Sequence, residues 1–313
     1  MVEVNIYPLV YLMVVMALSD KIEIKNIYFD YVGAKTTFGA LEDINLNIKE
    51  GEFVCILGSS GCGKSTLLSI LDGLNKPKKG EILIDGKKIT GPGADRAVVF
   101  QNYSLFPFLT VRKNVLFGAK QSLKRREFSR KERLNKVNEY IEAVGLSADK
   151  DKYPYELSGG MQQRVAIARA LALESDILLF DEPFSAIDPK LRLELQELIS
   201  KLSKEHKKTV VFITHDIDEA ILLADRVVVM EPKHIKSVID INLSYPRVRE
   251  DLVGKTEYER IHRLLISSFY QNIEDNIYGE VSLWYLKRYL IHHFLKLKAS
   301  LVKKTLKDYG LVF

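Results

Sequence analysis

Cysteine is nearly absent: the 313 residues contain two, Cys55 and Cys62. They stand in or beside an apolar run and a glycine-rich loop, a spacing that suits no zinc site, and two thiols make no disulfide framework. A reducing cytosol is the compartment this implies. Long apolar runs are equally scarce. Residues 6–18 (IYPLVYLMVVMAL) are apolar but shorter than the roughly 20 residues needed to span a bilayer. No basic stretch precedes that run and no small-residue cleavage site clearly follows, which argues against a signal peptide. Residues 1–19 are therefore read as an apolar N-terminal extension, with Met16 an alternative start. A dense basic stripe is missing too: the net charge of +5 is modest for this length, so composition does not call for a nucleic-acid partner. There is no internal repeat and no low-complexity stretch.

What is present is a core-forming chain. With 47% hydrophobic residues it can bury one large domain plus a smaller appendage. Ile44, Leu46 and Ile48 alternate with Asn45, Asn47 and Lys49, the period-two pattern of a strand with one wet face. Residues 81–85 repeat it and run into an Asp85-Gly86 turn signal. Residues 53–57 are uniformly apolar, as a parallel strand covered on both faces is, and the runs 177–180, 209–213 and 226–230 look the same. Between them, Leu134, Val137, Tyr140, Ile141 and Val144 recur at helical spacing before Gly145, and Leu191, Leu195, Leu198, Ile199 and Leu202 do the same. The pattern predicts an α/β core, an N-terminal antiparallel β layer and a mostly helical insertion over about 102–165.

Gly58, Ser59, Ser60, Gly61, Cys62, Gly63, Lys64, Ser65 and Thr66 fit GxxxxGK[ST] after an apolar strand and before a helix predicted over 66–71. In that setting backbone N–H groups and the helix N-terminus face phosphates, Lys64 reaches the β- and γ-phosphates, and the Ser65 hydroxyl ligates Mg²⁺. Residues 177–182 are an apolar strand ending in Asp181, placed to hold Mg²⁺ through its water shell, and Glu182, placed to polarise the attacking water as general base. An apolar run before two acids is common by itself; its weight comes from the phosphate loop in the same chain. Spacing alone thus gives a P-loop NTPase.

Leu157-Ser158-Gly159-Gly160-Met161-Gln162-Gln163-Arg164 narrows the class. It resembles the signature motif of ABC (ATP-binding cassette) proteins, with Met161 where glutamine is commonest. Ser158 and the Gly159-Gly160 backbone at a helix start make an anion site for a γ-phosphate. In that family this site serves the P-loop of a second cassette, so the resemblance implies a dimer. Gln101 resembles the Q-loop glutamine that contacts Mg²⁺ and water. Ser185-Ala186-Ile187-Asp188 resembles the D-loop, and His215 the switch histidine that clamps the γ-phosphate. Tyr31 matches the aromatic that stacks on adenine, with Tyr28 and Phe29 near enough to compete. The resemblance covers about residues 20–245 and implies an ATPase using ATP and Mg²⁺, coupled to transmembrane permease subunits at the cytoplasmic face of the cell membrane. Residues 246–313 are left as a C-terminal helical extension.

The runs 91–101 and 105–111, and the ending from Asp225 to Arg247, resemble nitrate, sulfonate and taurine importer cassettes, which also work with an extracytoplasmic solute-binding protein; cassettes for bicarbonate and pyrimidine-type vitamin precursors look similar. In that family residues 104–110 would form a groove for the permease, floored by Phe106, Phe108 and Leu109; the alternative is that these side chains plug the subdomain core. The basic run 120–133 is read as a solvated helix face interrupted by Glu127 and Glu132. The aromatic and basic stretch 282–308 is either a helix pair packed on its own domain or a segment that lies at a membrane interface or contacts the partner cassette. A soluble ABC ATPase acting on nucleic acid or ribosomes is the rival, against which stand the single cassette and the short helical insertion.

Overall fold

The computed structural model describes residues 20–274, apart from 34–36, 125, 186 and 253. The apolar run at 6–18 and the stretch 282–308 lie outside the described residues. The chain divides into two units at residue 266, and only the end of one helix is described in the second.

Four strands form an antiparallel sheet in the order β2-β1-β4-β5: β1 Asp20–Val32, β2 Thr37–Lys49, β4 Lys79–Ile84 and β5 Lys87–Lys88. Ile44, Leu46 and Ile48 of β2 point inward, and Ile22 and Ile24 of β1 join them. A six-stranded sheet has the order β10-β9-β3-β8-β7-β6. Here β3 Phe53–Gly58, β6 Arg96–Val99, β7 Ile177–Asp181, β8 Thr209–Thr214 and β9 Arg226–Glu231 run parallel, and β10 His234–Asp240 pairs antiparallel at the edge.

Every residue of β3, β7 and β8 is buried, because both faces are covered. One face gives Val54, Ile56, Leu179, Val211, Ile213 and Val228 to a core shared with the antiparallel sheet and with α1 (Lys64–Asp72). The other face carries Phe53, Phe180 and Phe212, joined by Phe184; Phe212 lies 5.4–6.0 Å from the other three ring centroids. Burying one such ring contributes on the order of 2–3 kcal/mol. Helix α1 is thus held between two sheets, which fixes its N-terminus against the end of β3.

A helical layer follows β6: α2 Val111–Gln121, α3 Arg130–Ala143 and α4 Gly159–Ala172. Glu132, within the basic run, closes a capping box with Ser129 at the start of α3, its carboxylate accepting from the Ser129 N–H at 2.7 Å. Helix α5 spans Pro189–Glu205 and α6 Ile217–Leu223; two further helices are α7, Arg249–Leu252, and α8, Thr256–Glu274.

Arg247 fastens the segment that follows the edge strand β10. Its guanidinium donates to the carbonyls of Ile221 and Ala224 at the end of α6 and to those of Ile241 and Leu243. It also lies 4.0 Å from the Tyr245 ring centroid, with the Lys204 ammonium 4.3 Å from that same centroid. Arg249, Tyr258 and His262 then converge on one carboxylate, Asp218 in the first turn of α6, the Tyr258 hydroxyl donating at 2.6 Å.

Candidate active site

The C-terminal ends of β3, β6, β7 and β8 open on the same edge of the parallel sheet, where α/β proteins place their ligand sites. The glycine-rich loop leaves β3 and enters α1, which begins at Lys64 rather than at Thr66 because Gly63 supplies its N-cap. Gly63 has φ +114°, and a Cβ there would stand 2.7 Å from Leu41 Cδ2 and 2.8 Å from the Ala40 carbonyl oxygen. Lys64 is almost fully buried, and its ammonium donates to the carbonyls of Gly58 (2.8 Å) and Ser59 (2.9 Å). One of its three N–H donors is left over for a phosphate oxygen. Cys62 is buried in the loop, and burial pushes its thiol pKa up. It is part of the packing, with Gly58 close against its sulfur.

Ser65 and Asp181 meet although 116 residues apart: the Ser65 hydroxyl donates to Asp181 Oδ1 at 3.1 Å. Burial raises the Asp181 carboxyl above its usual range, and the nearby Glu182 charge adds to this, while the Ser65 hydrogen bond and Lys64 oppose it. Among the described residues no group of three or more His, Cys, Asp or Glu could hold a metal on its own. A hydroxyl and one carboxylate beside a phosphate loop are hard oxygen donors, which fits a Mg²⁺ shared with substrate phosphates rather than a closed protein cage.

Glu182 follows β7 with φ +45°, a left-handed conformation unusual for a residue with a side chain. Its N–H donates to the Ile213 carbonyl of β8 at 3.1 Å, so the strained residue is held by the neighbouring strand. Its Oε2 lies 3.2 Å from His215 Nδ1, and the imidazole is largely exposed. An Nδ1–H donated to the carboxylate orients the ring and turns Nε2 outward. On β6, Val99 pairs with Phe180, so Gln101 leaves the sheet at the same edge as Asp181 and Glu182, and it is exposed.

Tyr31, half-exposed, sets its hydroxyl 3.1 Å from Thr66 Oγ1 and its ring edge-on to Phe29, 5.0 Å between centroids. Tyr28 lies instead beside Lys79, and Phe29 packs on the core. Of the three competing aromatics, Tyr31 is the one whose hydroxyl reaches the phosphate-loop helix.

The signature residues stand elsewhere. Ser158 caps α4, its hydroxyl accepting from the Met161 N–H at 3.3 Å, and Gly159 and Gly160 open the helix, which packs on α2, α3 and β6. The Tyr103 hydroxyl lies 2.7 Å from the place a Gly159 Cβ would occupy, while Arg169 of α4 donates to the carbonyls of Tyr103 and Ser104. The segment after Gln101 is therefore clasped to the signature helix. Asp188 caps α5, accepting from the Leu191 N–H at 3.1 Å. Phe106, Phe108 and Phe117 form a ring cluster on the helical layer with Phe108 71% exposed, and the buried Asn114 amide holds the loop beneath through Phe106, Leu109 and Thr110.

Three features were not anticipated from the sequence: the clasp by Arg169, the convergence on Asp218, and a buried chain of hydrogen bonds from Thr214 through Glu219 to Gln196. The last has a sequence trace. Asp216 and Glu219 have the spacing of a helix capping box, here redirected by a threonine.

A phosphate loop entering a helix from the middle of a parallel sheet, with Asp181 and Glu182 at the end of the next strand but one, across β8, defines a P-loop nucleotide hydrolase. Residues 41–185 match the family model for ABC transporters. The chain is 48% identical over 236 residues to an ABC transporter ATP-binding protein, MJ0412, of Methanocaldococcus jannaschii, covering 74% of this chain and 86% of that protein. It is 43% identical over 253 residues to the nitrate import ATP-binding protein NrtD of Synechococcus elongatus, covering 78% and 92%. Against the nitrate import ATP-binding protein NrtC of the same organism identity is 46%, over 74% of this chain but about a third (35%) of that longer protein. Two solved dimeric structures of the cassette MJ0796, one in a post-hydrolysis state with ADP and Pi, are 36% identical with TM-score 0.65, covering 71% of this chain and 100% of theirs. The chain belongs to the ATP-binding subunits of ABC transporters. It is an ATPase.

Proposed function

We propose that the chain is the motor subunit of an importer for small anions of the nitrate, sulfonate or taurine type. The observation that carries the hydrolytic part is the Glu182–His215 contact at 3.2 Å, on the sheet edge where Lys64, Ser65 and Asp181 also stand. Glu182 takes the proton of the attacking water at its carboxylate, and His215 orients that carboxylate and faces the γ-phosphate. Lys64 and the loop N–H groups from Gly58 to Thr66 stabilise the charge on the β- and γ-phosphates. Ser65, Asp181 and Gln101 would hold Mg²⁺, which when bound neutralises phosphate charge. Tyr31 stacks on the adenine.

Ser158, Gly159, Gly160, Met161 and Asp188 stand on other elements and serve the site of a second cassette, so a homodimer completes two ATP sites. Its closure moves permease subunits seated on the surface floored by Phe106, Phe108 and Leu109, of which Phe108 is exposed, at the cytoplasmic face of the membrane. No described helix is long and apolar enough to cross a membrane. The high identity to a nitrate import subunit over nearly its whole length supports the anion class and the importer direction.

The test is a pull-down of the tagged chain from detergent-solubilised native membranes, followed by mass spectrometry. A multi-span permease together with an extracytoplasmic solute-binding protein is expected, and the binding protein then exposes the solute. Recovery with ribosomes or nucleic acid alone would overturn the transport reading in favour of a soluble ATPase.

A further inference from the structure

We propose that Glu219 is a positioning residue for His215, acting through Thr214 and linking the imidazole to the helix that Asp188 opens. The inference rests on the reading of His215 as the group that faces the γ-phosphate. Glu219 lies in α6 and is 7% exposed, yet both carboxylate oxygens have partners. The Thr214 hydroxyl donates to Oε2 at 2.6 Å, and the Gln196 side-chain amide of α5 donates to Oε1 at 3.2 Å.

Thr214 closes the other half of the arrangement. Having given its proton to Glu219, its oxygen accepts from the Asp216 N–H at 3.0 Å. That bond spans the two residues flanking His215 and makes His215 the apex of a side-chain-closed turn. The same Asp216 carboxylate accepts from the N–H groups of Asp218 and Glu219, so the turn and the first turn of α6 form one body. Rotation of the Thr214 hydroxyl away from Glu219 would release the turn and with it the distance from His215 to Glu182.

A merely structural role is a poor account of this arrangement. Burial disfavours the Glu219 charge and pushes its carboxyl pKa up, against the Thr214 hydrogen bond and the Arg192 guanidinium, whose Nε lies 3.9 Å from Oε1, so apolar side chains in place of the whole set would be about as stable. What an apolar side chain lacks is direction. Two acceptor oxygens with fixed donors on α5 and on the end of β8 allow one orientation, and a satisfied buried network specifies geometry more than it adds stability. Arg192, one turn before Gln196 on α5, donates to the carbonyl of Ile187 next to Asp188. The carboxylate therefore joins the segment carrying Asp188 to the turn carrying His215.

The test uses the full chain with Mg-ATP. Thr214→Val keeps the shape and removes the hydroxyl; Thr214→Ser restores the hydroxyl; Glu219→Leu removes both acceptors. Thr214→Val and Glu219→Leu are expected to lower kcat about 10- to 100-fold, the effect of roughly an ångström of misplacement, with KM within about threefold. Thr214→Ser is expected to recover most of the rate. The His215 imidazole resonance, assigned by its loss in His215→Gln, should move in Thr214→Val and return in Thr214→Ser. The double variant should be little worse than either single one, since both cut the same chain. Thr214→Val turning over normally with the His215 resonance unmoved, while His215→Gln is inactive, would overturn this inference alone. Normal turnover by His215→Gln would sink the reading of His215 and this inference together.

Discussion

Glu182→Gln is expected to bind ATP with nearly unchanged affinity and to hydrolyse it about 10²- to 10⁴-fold more slowly than the native chain, the range for loss of a positioned general base. The substitution keeps the size of the side chain and the left-handed backbone at this position. It also keeps an oxygen able to accept from His215 Nδ1, now 3.2 Å from the carboxylate. What it removes is a site that takes a proton from water. Phosphate release under saturating ATP measures the rate, and equilibrium binding of the nucleotide measures the rest. Turnover within tenfold of native would move the base elsewhere, with Asp181 disfavoured because it is tied to Ser65. Light scattering should find the Glu182→Gln chain as a dimer when ATP is present, because the proposed homodimer closes on ATP and does not reopen.

The second large effect is expected from Gly63→Ala, a change of one methyl group. At φ +114° an alanine is strained whatever the space, and here there is none. The Cβ would meet a backbone oxygen of β2 at 2.8 Å and the Leu41 side chain at 2.7 Å. Strand β2 is held along its length by β1, so the carbonyl cannot retreat without breaking pairing. The strain is relieved instead by moving the start of α1, which carries Lys64 and Ser65. Loss of one or two charge-assisted bonds to phosphate, about 1.5–3 kcal/mol each, corresponds to ATP binding weaker by at least about tenfold and at most on the order of 10⁴-fold. Gly61→Ala offers the comparison. A Cβ at Gly61 meets nothing within 4 Å, so that variant reports the backbone term alone and should bind ATP markedly better than Gly63→Ala. Equal affinities for the two variants would show that the contact with β2 is not what fixes the loop.

The buried parallel strands were the most legible part of the fold. A strand such as β3, covered on both faces, buries every residue and stands out in sequence as an unbroken apolar run, and β8 reads the same between its terminal threonines. Edge elements were not readable in that way. Strand β6 has four residues and begins with a buried arginine, which bonds to the carbonyls of Asp72 and Gly91 rather than to solvent. Strand β10 is only partly buried along most of its length and carries no clear period. The phosphate loop is legible because its chemistry needs consecutive residues. The pairs Glu182–His215 and Ser65–Asp181 are assembled by register instead: Asp181 lies opposite Ile213 on β8, which brings the two following segments together. The spacing of Asp216 and Glu219 is that of an ordinary helix cap. The Thr214 hydroxyl takes the Asp216 N–H that a capping-box glutamate would have taken, and draws the Glu219 carboxylate inward.

The left-handed backbone at Glu182 sets durability against turnover. A side chain in that region costs about 1–3 kcal/mol, a cost glycine would not incur. Glu182→Gly is accordingly expected to melt at a higher temperature than the native chain while hydrolysing no ATP at a useful rate, as calorimetry beside a phosphate assay would record. Selection for robustness alone would drift toward glycine at this position, and the glutamate persists only under demand for work. A chain of this family carrying glycine there would be a cassette retained for its shape rather than for its chemistry.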